Sequence, residues 1–129
     1  MKNYRKKLPQ KKLFSEYVKL MNGYFGLSKR EAEIYSFIVE LDSKWVPITD
    51  KDYKDILSTT NRKLIIRECN INKTNLSRLI IQLRNEGLIE LNEHGGYEIP
   101  TSLALDINDK IFEIVFTFEI EDEGPGQTN

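Results

Sequence analysis

The stretch from residue 71 to residue 89 constrains the fold of this chain most strongly. Its apolar side chains recur at i, i+3, i+4 and i+7, a spacing that places them on one face of a helix. These side chains are Leu76, Leu79, Ile80 and Leu83. Asn72 precedes them as a side chain that can accept a free helix N–H, and Gly87 follows where a helix ends at least cost. We therefore predict a helix over residues 73–86.

The opposite face of this predicted helix is polar, capable of hydrogen bonding and net positive. It carries Lys73, Thr74, Asn75, Ser77, Arg78 and Gln82. The positive charge extends to the preceding segment, since residues 62–84 hold six basic residues against Glu68 alone, whereas the whole chain has a net charge of −1. The local field, more than the total charge, decides what approaches a surface.

The N-terminal part predicts a basic arm followed by a helix. Residues 1–9 predict a flexible arm, since residues 1–12 hold six basic residues and no acidic one. Residues 10–23 carry apolar side chains at helical spacing and end at Asn22-Gly23. Because a helix this short is marginally stable alone, it either packs on the body of the domain or forms a dimer interface.

Several further elements are predicted before the central stretch. Ser28 and Glu31 have the spacing of a capping box, which predicts the start of a helix. Residues 45–48 are short, apolar and proline-bearing, which is typical of an edge strand. Residues 49–57 and residues 62–69 each predict another helix.

A β-hairpin is predicted after the central helix. Residues 88–92 and 97–99 alternate in polarity and flank the turn Glu93-His94-Gly95-Gly96. The turn is acidic, so it is a poor candidate for gripping phosphate.

These elements resemble the second half of a winged helix-turn-helix. The resemblance rests on a short helix, the link Asn70-Ile71-Asn72, a helix containing Leu76-Ser77-Arg78-Leu79, and then Asn85-Glu86-Gly87-Leu88-Ile89. It covers roughly residues 28–100. In that superfamily the second helix of the motif is the recognition helix, a glycine ends it, and a hairpin called the wing follows. The resemblance implies an α+β, mainly α fold with a three-helix core and a β-hairpin wing, here with an extra N-terminal helix.

Residues 101–121 predict a C-terminal β extension that a winged domain does not need. Apolar and polar residues alternate, which predicts a long strand with one apolar face, paired with residues 102–107 through Asn108-Asp109 or left single. The apolar face consists of Phe112, Ile114, Phe116, Phe118 and Ile120. Because exposed strands promote aggregation, this strand either covers its own domain or pairs with another chain. Residues 122–129 predict a loose tail.

Composition and motifs argue against several classes of function. A chain of 129 residues normally forms one domain, and no apolar run approaches the ~20 residues that span a bilayer. Cys69 and His94 are the single cysteine and histidine, which leaves no disulfide, metal-ligand cluster or nucleophile–base pair. No phosphate-cradling glycine loop occurs. We expect no enzyme, metal, cofactor, small-molecule substrate or membrane partner, and a cytoplasmic location in a bacterium.

The first hypothesis for function is a winged-helix DNA-binding protein, a regulator or a replication accessory factor. Helix 73–86 would lie in the major groove of double-stranded DNA, with Arg78 on a guanine edge and Asn75 on an adenine. The remaining contacts, to phosphates and base edges, would come from Lys73, Thr74, Ser77, Gln82, Arg62, Lys63 and Arg84. The basic arm would follow an adjacent groove, and a homo-oligomer would bind two half-sites.

The second hypothesis is a winged-helix protein-interaction or structural module in a larger assembly, such as a phage particle. The net charge, the acidic hairpin turn and the apolar C-terminal strand favour it. Attachment to other protein subunits would use strand addition at residues 112–120, and the location would be the virion. An open, positive face on helix 73–86 favours the first hypothesis, and a packed or neutralised face favours the second.

Overall fold

A computed structural model of the chain describes residues 2–122 and residue 124. In that part the protein has four helices and one two-stranded antiparallel sheet, which confirms an α+β, mainly α fold. The elements are α1 (Gln10–Phe25), α2 (Lys29–Lys44), α3 (Thr59–Cys69), α4 (Lys73–Asn85), β1 (Glu90–Leu91) and β2 (Tyr97–Glu98). Most of the predicted tail, residues 122–129, lies outside the described residues, as does Met1.

The capping box predicted at the start of α2 is confirmed. The Ser28 Oγ accepts a hydrogen bond from the Glu31 backbone N–H at 3.1 Å, and the Glu31 carboxylate accepts one from the Ser28 N–H at 2.8 Å. The preceding helix, α1, runs past its predicted end to Phe25. It ends there because Gly26 adopts a left-handed conformation with φ 67°. Asn22, at the predicted end, binds the chain that follows the helix: its side-chain N–H donates to the Leu27 carbonyl, and its side-chain oxygen accepts from the Leu27 N–H.

The core forms where α1 packs across α2. Buried side chains of α1 meet those of α2, and the Tyr17 hydroxyl donates to the Leu103 carbonyl at 2.8 Å. The members from these two helices are Phe14, Tyr17, Val18, Ile34, Tyr35, Ile38 and Val39, and the same cluster extends to Ile65 of α3 and the apolar face of α4. Within the chain α1 therefore acts as a packing helix, but Leu20 and Tyr24 on its outer face stay 65% and 63% exposed.

Two predictions for residues 45–57 are wrong. Residues 45–48 form no strand, and residues 49–57 form turns in place of a helix. The cause is competition from side-chain hydrogen bonds, which offer the backbone an alternative to the helix ladder. The Asp52 carboxylate accepts from two backbone N–H groups, and the Asp55 carboxylate accepts from the Leu57 N–H. Only Ile56 and Leu57 of the expected apolar face are buried, while Tyr53 is exposed.

The predicted hairpin is confirmed, with β1 and β2 as its strands. Leu91 pairs with Tyr97 and Glu90 with Glu98 in an antiparallel register. Its neighbour is the last part of the wrongly predicted helix 49–57, because the Ile56 N–H donates to the Tyr97 carbonyl at 3.0 Å. Residues 54–56 thus flank the hairpin, in the place expected for residues 45–48.

A buried ion pair joins three of these parts. Asp42, at the end of α2, is 4% exposed, and its Oδ1 lies 2.8 Å from the Lys54 Nζ. The same oxygen accepts from the Ile99 N–H at 3.0 Å. One carboxylate therefore ties α2 to the segment before α3 and to the chain that leaves the hairpin.

The predicted C-terminal strand, single or paired with residues 102–107, is wrong for the single chain. Residues 111–122 contain neither helix nor strand. A strand needs partners for its backbone N–H and C=O groups, and the described part of the chain places no strand beside it. Of the expected apolar face only Phe112 is half-buried against the core. The exposed members are Ile114, Phe116, Phe118 and Ile120.

Candidate nucleic-acid interface

The link between α3 and α4 is three residues long, as the sequence predicts. Asn70 ends α3 in a left-handed conformation with φ 51°, which an Asx side chain tolerates better than most. Asn72 then caps α4, since its Oδ1 accepts from the Asn75 N–H at 2.7 Å. The tight link and the cap fix the direction in which α4 leaves α3.

Arg30 of α2 holds this link in place, a role that the sequence analysis missed. Its Nη2 donates to the carbonyls of Cys69 and Asn70, the latter at 2.9 Å. A cation at the carboxyl end of a helix also interacts favourably with the helix dipole. No sequence signal distinguishes Arg30 from other exposed arginines, because its partners are backbone atoms some 40 residues away.

The predicted polar face of α4 is open to solvent. Its four apolar residues all turn to the core, as the spacing predicts. Five of the predicted contact residues on the helix are exposed, namely Lys73, Thr74, Asn75, Ser77 and Arg78. At 100° per residue, Thr74 and Arg78 lie on the line directly opposite the core, together with Ile81 and Asn85. These last two were missed; Ile81 is 61% exposed, so it adds an apolar group to an otherwise polar surface.

The charge on this face is not neutralised by neighbouring acids. Within residues 2–122, Lys73, Arg78 and Arg84 form no salt bridge, and neither does the exposed Lys63 of α3. α4 itself contains three basic residues and no acidic one. The helix therefore presents an unpaired cationic surface, which suits an anionic partner.

Two predicted contact residues have structural partners. Arg62 is half-buried, and its Nε donates to the Leu57 carbonyl at 2.7 Å, which fixes the turn before α3. Gln82 is half-buried at the side of α4, where its amide donates a hydrogen bond to the Glu86 carboxylate at 3.4 Å. Gln82 lies at the edge of the open face of α4, and Arg62 lies on α3.

A groove of about 380 Å³ separates α4 from the start of α2. Arg30, Asn75 and Arg78 contribute to its lining, and so does Glu31. Hydrogen bonds from Ser28 hold the pKa of the Glu31 carboxyl below its usual value, so the α2 side of the groove carries this carboxylate beside the cationic Arg30.

The hairpin is anchored to the segment that precedes α3. Asn92 Nδ2 donates to the Lys54 carbonyl at 2.7 Å, and the His94 ring stacks on Tyr53 with centroids 3.8 Å apart. Gly96 is buried so closely that an added Cβ would lie 2.1 Å from the Lys54 carbonyl oxygen. Its tip carries the acidic Glu93, and residues 90–98 contain no lysine or arginine that could contact a phosphate.

Other kinds of site have little support among the described residues. No group of three His, Cys, Asp or Glu side chains is placed to hold a metal in residues 2–122 and 124. Burial raises the pKa of the half-buried Cys69 thiol, which lowers its reactivity. None of the four described helices combines the length and apolar character that crossing a bilayer requires.

Comparisons with known proteins give no further assignment. The chain matches no family model, no curated protein and no solved structure.

Proposed function

We propose that this protein is a winged-helix DNA-binding protein, a regulator or replication accessory factor, that inserts α4 into the major groove. The observation that carries the proposal is the outer face of α4, which is exposed, cationic and without acidic partners in the described chain. The α3–α4 link supports it, since a three-residue turn between two helices is typical of a helix-turn-helix. The hairpin after α4 stands where a wing would.

The contacts would follow from the positions on α4. Arg78 and Thr74 lie on the centre line of the face, so they would enter deepest into the groove, with Arg78 suited to the two acceptors of guanine. Asn75 on one flank would reach an adenine edge. Lys73, Ser77 and Arg84 on the other flank, with Lys63 of α3, would meet phosphates, which supply affinity and salt dependence.

Of the two remaining elements, the arm would contact DNA phosphates and the hairpin would not. The acidic, internally anchored hairpin would stay off the phosphates. The basic N-terminal arm is exposed, with Lys6 paired to Glu16 at 3.4 Å, and it would add phosphate contacts beside the groove. The proposed interface is therefore formed by α4, α3 and the arm.

Arg78→Ala tests the proposal. It should weaken binding to the preferred DNA site by about 1–3 kcal/mol, which is the value of a good base contact. Lys19→Ala is the matched control, because Lys19 is an exposed cation on α1 and its loss changes the net charge equally. Equal DNA affinity of the two variants would contradict the assigned role of α4.

A second candidate function is a protein-interaction module within a larger assembly, such as a phage particle. The exposed apolar side chains of residues 111–120 favour it, and so does the net charge of −1. Under this alternative the cationic face of α4 is a solvated surface. Absence of DNA binding at low salt would favour this alternative.

A further inference from the structure

Residues 111–120 have three properties that contacts within the described chain do not explain. Their sequence alternates between apolar and polar positions, as in a strand with one buried face. They have no strand partner within the described chain. Their apolar side chains are largely exposed, with Phe118 at 81% and Ile120 at 93%.

The segment is held against the body at its start and middle. The Ile107 N–H donates to Ser43 Oγ at 3.1 Å, and Phe112 packs partly against the core. Further along, the Phe116 ring stacks on Tyr24 of α1, with centroids 5.1 Å and planes 17° apart. The segment therefore reaches the outer face of α1, where Leu20 lies one helical turn before Tyr24.

Together these side chains form a surface that we call the α1–tail patch. It consists of Leu20, Tyr24, Ile114, Val115, Phe116 and Phe118, whose exposed fractions range from 40% to 81%. At roughly 200 Å² for a large side chain, the patch exposes on the order of 700 Å². The largest apolar patch of a typical monomer is ~300–600 Å², and a standard interface takes about 800 Å² from each partner.

We propose that the α1–tail patch joins two copies of this chain, and that residues 110–120 of the copies pair as antiparallel strands about a two-fold axis at Val115. In this register Phe112 lies opposite Phe118 and Ile114 opposite Phe116, so the apolar faces coincide. Glu113 lies opposite Thr117, and Glu119 opposite Ile111. Between residues 110 and 120 no carboxylate faces another carboxylate, and at the two ends of the pairing Asp109 lies opposite Glu121.

Neighbouring registers are less favourable because like charges directly opposite each other destabilise a strand pair. An axis at Phe116 would place Glu113 against Glu119 twice. Axes at Ile114 or Thr117 would also oppose carboxylates, Asp109 to Glu119 and Glu113 to Glu121, and would pair fewer of residues 110–120 with each other. Self-pairing at Val115 therefore gives one edge of each strand a hydrogen-bonding partner and places the apolar side chains of both copies on the same side of the pair. It pairs all of residues 110–120 and confines opposed carboxylates to Asp109 and Glu121 at its ends, which favours a second copy as the partner.

The oligomeric state of the full chain tests the surface. Sedimentation equilibrium without DNA should give a dimer at micromolar concentrations. Val115→Asp should give a monomer, because it places two carboxylates on the axis. Ile48→Asp is the matched control: Ile48 is 92% exposed and lies outside the patch, so this variant should remain dimeric. Circular dichroism verifies that each variant retains its helices.

Disulfide cross-linking with diamide tests the register in a Cys69→Ala background. Directly opposed residues of antiparallel strands have Cα atoms about 4.5–5.5 Å apart, within disulfide range. Val115→Cys should therefore cross-link to its own copy. Thr117→Cys should not, because four residues at ~3.3 Å each separate it from its copy.

Each result decides one part of the proposal. A monomeric wild-type chain overturns it, and so does a Val115→Asp variant that remains dimeric. Equal cross-linking at positions 115 and 117 overturns the register. Because these measurements use no DNA, failure of the dimer is distinguishable from failure of DNA binding.

Discussion

Asp42→Ala tests how the protein holds its hairpin against the helices. The substitution removes the acceptor of the buried Ile99 N–H and the partner of Lys54. Breaking a buried ion pair costs about 3–5 kcal/mol when one partner stays buried. The Lys54 side chain is 26% exposed and can turn towards water, which places the expected loss near the lower limit, about 3 kcal/mol. For a chain of this size that lowers Tm by roughly 10 °C.

Urea unfolding followed by far-UV circular dichroism and by the fluorescence of the single tryptophan, Trp45, measures this loss. Glu40→Ala is the control on the same helix, because the Glu40–Lys44 pair is more exposed and should be worth less than about 1 kcal/mol. Lys54→Met in the Asp42→Ala background should restore part of the stability by removing the unpaired cation. If Asp42→Ala cost no more than Glu40→Ala, the buried pair would not be the link described above.

Three further predictions concern the hairpin, the capping box and the cysteine. Gly96→Ala should destabilise the protein by about 1–3 kcal/mol, as overpacking does, because its Cβ would meet the Lys54 carbonyl; urea titration checks this. Ser28→Ala should lower the free energy of unfolding by about 1 kcal/mol at neutral pH. Glu31 should also contribute to stability, because its pKa is lower in the folded than in the unfolded state. That contribution should be present above pH 4.5 and lost as the pH falls through the folded-state pKa. Thermal melts from pH 7 to pH 3 test it, with Glu31→Gln removing the pH dependence. Cys69 should react with iodoacetamide more slowly in the folded chain than in urea, because burial raises its pKa.

The parts of the fold that local sequence signals specify were predicted well. The period of Leu76, Leu79, Ile80 and Leu83, with a cap on one side and a glycine on the other, gave α4 to within a residue. The capping box located the start of α2 in the same way. In each case the interactions that decide the structure lie within a few residues of chain, where spacing reports them.

The wrong predictions concern segments whose conformation is set by distant contacts or by competing side-chain hydrogen bonds. Asp52 and Asp55 look like helix-face acids, but their carboxylates bind backbone N–H groups and hold turns, and Asp55 also accepts from the Tyr97 N–H. The alternation in residues 112–120 specifies a strand only if a partner strand exists, and the described part of the chain places none beside it. The local sequence pattern therefore indicates which element a segment can form. Contacts with distant parts of the fold determine whether that element forms.

The candidate interface was predicted in outline. Its central residues, Thr74 and Arg78, are exposed as expected, whereas Arg62 and Gln82 have partners within the fold. Arg30 could not be found from sequence, because its role depends on the carbonyls that end α3.

Binding to mixed-sequence duplex DNA at 50 mM and 200 mM salt, followed by fluorescence anisotropy, tests the central proposal most directly. Three cationic phosphate contacts, from Lys63, Lys73 and Arg84, predict a slope of log K against log salt of about −2.7, steeper if the basic arm contributes. The account predicts micromolar binding at low salt that weakens with such a slope. No binding at 50 mM salt, or binding indifferent to salt, would contradict the assignment of α4 as a DNA-contacting helix.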